Sequence, residues 1–83
     1  MMINENTTLS ELFLIVKRTL NELNPGEEFI VKDLFKGFQW NRIPRANRIK
    51  LGSMMLNFAN HEGAIIIKAL DKTPQNQQRY KRI

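Results

Sequence analysis

Cysteine is absent from all 83 residues. That excludes a disulfide framework and a thiolate metal site, and it suits a reducing cytoplasm. Long apolar runs are missing too. The longest cluster, Leu12-Phe13-Leu14-Ile15-Val16, falls far short of the roughly 20 residues that cross a bilayer. The opening Met1-Met2-Ile3-Asn4-Glu5-Asn6 has no basic segment leading into an apolar one, so no secretory signal is expected. The lone His61 has no second histidine or cysteine to complete a metal site. No paired carboxylates, nucleophile-base set or glycine-rich phosphate loop is visible, and Glu27-Glu28 reads as a solvated turn. These absences predict a protein that is not an enzyme and takes no metal or cofactor. Repeats and low-complexity linkers are also lacking. A chain of this length has room for one domain, residues 1–83, burying about 60–65% of its unfolded surface in a single core.

What the chain does have is positive charge, unevenly placed. The net charge is +5. Residues 1–41 hold four Lys/Arg against six acids, a net −2, whereas residues 42–83 hold nine against two, a net +7. Clustered Lys and Arg raise the local potential and release counterions from phosphates, so this asymmetry points to a polyanion partner.

Residues 1–7 are polar and expected to fray. Thr8-Leu9-Ser10-Glu11 has capping-box spacing. Leu9, Leu12, Phe13, Val16, Leu20 and Leu23 then recur at three- and four-residue steps, predicting a first helix with one buried stripe. Asn24-Pro25-Gly26 stops it. Phe29-Ile30-Val31 is a short β-favouring segment. Asp33 to Phe38 reads as a brief helix with Leu34, Phe35 and Phe38 as core residues and Gly37 near its end. Trp40-Asn41-Arg42-Ile43 is read as a connector, with Trp40 plugging the core.

The longest predicted helix runs from Pro44 to Asn60, Pro44 suiting its first turn. Leu51, Met54, Met55, Phe58 and Ala59 form its main apolar stripe, widened by Ile49 and Leu56. Gly52 lies on the widened side, and the cost of a mid-helix glycine, about 1 kcal/mol, predicts that another backbone approaches closely there. Opposite runs a polar line of Ala46, Lys50, Ser53, Asn57 and Asn60. His61-Glu62-Gly63 ends the helix. Ala64 to Leu70 and Gln78 to Ile83 read as strands of an antiparallel hairpin, with Asp71 to Gln77 as its polar tip.

The order helix, strand, helix, helix, strand, loop, strand resembles the winged-helix superfamily: an α+β fold of three helices and a small antiparallel sheet whose hairpin forms the wing. Asp33–Phe38 and Pro44–Asn60 match its helix pair, and Asp71–Gln77 matches the wing. A closer resemblance rests on Phe29-x-Val31-Lys32-Asp33-Leu34-Phe35-Lys36-Gly37, Trp40-Asn41-Arg42-Ile43, Arg48-x-x-Leu51-Gly52 and Gln77-Gln78-x-Tyr80-Lys81. These are similar to a small uncharacterised family, a domain of unknown function, of low-GC Gram-positive bacteria and their mobile elements. That resemblance implies an intracellular bacterial or phage-borne protein and carries no site residues.

The expected function is DNA binding by a small transcriptional regulator. Lys50, Ser53 and Asn57 would read base edges. Arg42, Arg45 and Arg48 would contact phosphates, and Lys72, Asn76, Gln77 and Arg79 would touch DNA from the wing. Arg48 lies toward the buried arc, which allows a second role pinning the helix through a carboxylate such as Asp33 or Glu62. The alternative function is a protein-interaction module that binds a host partner without touching DNA. Leu14 and Ile15, off the main stripe of the first helix, are the candidate seam for a homodimer.

Overall fold

The computed structural model describes residues 2–83. Helix α1 spans Leu9–Leu20 and is followed by strand β1, Glu28–Phe29. A 3-10 turn, Val31–Leu34, leads to helix α2, Gly37–Arg42, and then to α3, Arg45–Asn60. Strands β2, Ile67–Lys72, and β3, Gln78–Arg82, complete the chain. The sheet is antiparallel with order β1-β3-β2. Three helices beside a three-stranded antiparallel sheet make an α+β fold compatible with a winged helix.

The predicted capping box is present. Glu11 N donates to Thr8 Oγ1 and Thr8 N donates to Glu11 Oε2, each at 3.2 Å, which satisfies donors that the first turn leaves free. Leu12, Val16 and Leu20 are buried. They meet Leu51, Met55, Phe58 and Ala59 of α3 and Phe29, Ile67 and Tyr80 of the sheet in one core. The Phe13 and Phe58 rings pack in a T shape, 5.6 Å between centroids. At Asn24-Pro25-Gly26-Glu27 the chain reverses, with Glu27 N donating to the Asn24 carbonyl at 3.1 Å and Gly26 at φ +94°. A type II turn asks for proline and glycine at these two positions.

Several expectations change. Residues 2–7 do not fray: Ile3 and Thr7 are buried. Asn4 N donates to Thr7 Oγ1 at 2.9 Å, and Arg42 Nη1 donates to the Ile3 carbonyl at 3.1 Å. The helix expected over Asp33–Phe38 is instead two pieces flanking an extended Phe35. Leu34 and Phe35 are both buried, and two separate helical starts are bracketed by Ile30 N donating to Asp33 Oδ2 and Lys36 N donating to Gln39 Oε1. Phe38 is exposed, and the supposed connector Trp40–Arg42 is helical. Pro44 sits at the N-cap of α3, just before its first turn.

The expectation for Gly52 also fails. Nothing lies within 4 Å of where a Cβ on Gly52 would stand. The close approach occurs at Gly63, whose Cβ would collide with the Phe58 ring. Gly63 N also donates to the Phe58 carbonyl at 2.7 Å, closing the end of α3. The resulting turns occupy residues 61–66 and delay β2 to Ile67. Only Ile67 of the Ala64–Ile67 run is buried, and Ile65 stands 85% exposed.

Candidate nucleic-acid interface

On α3, Leu51, Met55, Phe58 and Ala59 face the core, leaving Arg45, Ala46, Ile49, Lys50, Ser53, Leu56, Asn57 and Asn60 exposed. The outer face is divided lengthwise. Lys50 and Asn57, seven residues apart, occupy one edge, and Ile49 and Leu56 the other, with Ala46, Ser53 and Asn60 between them. Ile49 and Leu56 therefore do not widen the buried stripe: they are 61% and 37% exposed. Their angular position lies beyond the reach of α1 and β2, the two elements packed most closely on α3.

The sequence-predicted residues fall into two groups. Arg45, Lys50, Ser53 and Asn57 are exposed on α3, and their side chains make no hydrogen bond or ion pair among the described residues. Lys72, Asn76 and Gln77 are exposed on the hairpin. Asp71 and Lys72 belong to β2, so the tip is shorter than Asp71–Gln77. It covers residues 73–77, closed by Thr73 N donating to the Gln77 carbonyl and Asn76 N donating to the Thr73 carbonyl, both at 2.8 Å. Asn76 adopts φ +65°, a conformation that asparagine tolerates better than most residues. A bulge between Ala69 and Lys72 re-aims the strand as it approaches this tip, and Gln78 Nε2 donates to the Leu70 carbonyl within it.

The second group already has partners inside the molecule. Arg48 Nε donates to the Ile43 carbonyl at 2.8 Å and its Nη2 to the Asn41 carbonyl at 3.4 Å. Its guanidinium lies 5.6 Å from the Trp40 ring centroid. Arg48 thus pins the α2–α3 junction through carbonyls and a ring, not through the carboxylates Asp33 or Glu62. Arg42 holds Ile3 and lies 5.0 Å from the Phe38 ring centroid, while Arg79 pairs with Glu28 across the sheet. Arg82 donates to the carbonyls of Leu20 and Ile66, each at 3.1 Å. Much of the +7 half is therefore spent on holding the fold.

Sequence reasoning missed one basic feature. Lys68 and Lys81 stand directly opposite each other in the β2–β3 register, and both are exposed. Like charges at facing positions repel, and the alternation of each strand was the signal that both point outward.

Gly52 of α3 and Gln77 of the hairpin tip line one shallow pocket, so the helix and the hairpin flank a common concavity. Trp40 and Tyr80 form two of its walls. Tyr80 is fully buried, its hydroxyl has no hydrogen-bond partner among the described residues, and burial pushes its pKa up to about 12.

This architecture defines a small α+β domain, three helices with a three-stranded antiparallel sheet, compatible with a winged helix. The chain belongs to the family described as domain of unknown function DUF1413, whose model matches residues 15–82. No curated protein and no solved structure matches it. No helix among the described residues is long and apolar enough to cross a membrane.

Proposed function

We propose that the protein is a cytoplasmic DNA-binding winged-helix protein, a small transcriptional regulator of bacterial, plasmid or phage origin. The observation that carries this reading is the set of free side chains Arg45, Lys50, Ser53 and Asn57 on the outer side of one helix, beside a hairpin bearing Lys72, Asn76 and Gln77. With α3 in the major groove, Lys50 and Asn57 offer the donors and acceptor that base edges require. Arg45 and Lys72 meet phosphates and set the register.

A second reading, docking of a protein partner, is favoured by the apolar edge of Ile49 and Leu56. Fluorescence anisotropy with a generic duplex of ~20 bp separates the two. The DNA reading expects binding at low salt that weakens steeply as salt rises, with a log–log slope of about −3 to −4 if about four phosphates are neutralised. Absence of binding at low salt overturns it and leaves the apolar edge as the working surface.

A further inference from the structure

We propose that the pocket over Gly52 is a binding site for a small aromatic carboxylate, an inference independent of the DNA reading. Two anomalies meet there. Gly52 sits inside a 16-residue helix, where glycine costs about 1 kcal/mol relative to alanine, yet no neighbour approaches within 4 Å of the missing Cβ. The glycine therefore does not accommodate a packed backbone; it keeps a space open. Tyr80, one wall of that space, carries the only buried side-chain polar atom lacking a partner among the described residues, a condition that ordinarily signals a missing acceptor or water.

The remaining walls set the ligand class. Ile30, Val31 and Trp40 make the lining largely apolar, and Lys32 is its one charged residue. Lys32 is exposed and makes no ion pair among the described residues. The pocket is open to solvent and its volume is about 140 Å³, room for a single ring. A flat ring fits the space against Trp40. Its carboxylate supplies a counter-charge for Lys32 at the rim.

Trp40 is the only tryptophan of the chain, so its fluorescence reports occupancy directly. Titration of the full chain with benzoate at low ionic strength is expected to give a saturable change in the millimolar range. Benzyl alcohol, of similar shape and uncharged, is expected to bind about tenfold more weakly. Gly52→Leu fills the space and should abolish saturation without lowering the thermal midpoint, and Gly52→Ala should give an intermediate affinity. Lys32→Met should weaken benzoate about threefold to tenfold and leave benzyl alcohol unchanged. A signal that never saturates, or one that survives in Gly52→Leu, overturns the site. Equal binding of the two probes, unaffected by Lys32→Met, overturns the carboxylate assignment and makes the pocket a slot for an apolar side chain of a protein partner.

Discussion

Arg48 Nε donates to the carbonyl of Ile43, five residues back, at 2.8 Å, so the first turn of α3 is tied to the residue that closes α2. A charged donor on a half-buried carbonyl, combined with stacking on Trp40, is worth about 2 kcal/mol. Arg48→Ala should lower stability to urea by that amount. Arg48→Lys should recover only part of it, because an ammonium cannot reproduce the planar fork. The salt slope of duplex binding should be the same in both variants, whereas Lys72→Ala should reduce it by about one.

The two glycines near the core should respond to alanine with opposite signs. Gly52→Ala adds a methyl to open space in a helix and should stabilise by about 0.5–1 kcal/mol. Gly63→Ala drives a methyl into the Phe58 ring, which is itself packed against Phe13, and should destabilise by about 1–3 kcal/mol. Thermal or urea melts of the pair give the comparison directly.

Alkaline pH should weaken the fold through Tyr80. Its folded pKa is raised to about 12 from an ordinary 10, because burial disfavours the phenolate. The unfolded chain releases the proton first. The contribution is thus complete below pH ~10 and is lost between about 10 and 12, roughly 2–3 kcal/mol in total. Tyr80 is the only tyrosine, so absorbance at the phenolate band follows it cleanly. Tyr80→Phe should remove this slope while leaving neutral-pH stability nearly unchanged, since the hydroxyl has no partner to lose.

The facing lysines of the sheet offer a test that depends on salt. Lys68→Glu replaces a repulsive pair with an attractive one opposite Lys81 and should stabilise by about 0.5 kcal/mol at low ionic strength. The gain should shrink toward zero near 1 M salt, where screening acts over about 3 Å.

The parts of the molecule that follow helix periodicity were readable in the chain itself. Leu12, Val16 and Leu20 on α1 and Leu51, Met55 and Phe58 on α3 repeat at the spacing that buries one stripe, and Thr8 with Glu11 marks where α1 starts. Phe35 escaped that logic because apolar periodicity marks which side chains are buried and not where one helical segment ends and the next begins. A local signal was nonetheless present: Asp33 accepts from Ile30 N and Gln39 from Lys36 N, two three-residue brackets marking two separate helical starts. At the interface, the types and positions of Lys50, Ser53 and Asn57 could be read from helical angle alone. The commitments of Arg42, Arg48 and Arg79 could not, since each depends on a carbonyl, ring or carboxylate brought near by folding.

The sheet order bears on how the chain folds. Phe29 and Tyr80 stack at 5.7 Å although half the sequence separates them, and β1 has no strand neighbour other than β3. The two residues of β1 are too few to order themselves. Their template is the terminal hairpin, so closure of that long loop, rather than the growth of any helix, is the step expected to limit the folding rate.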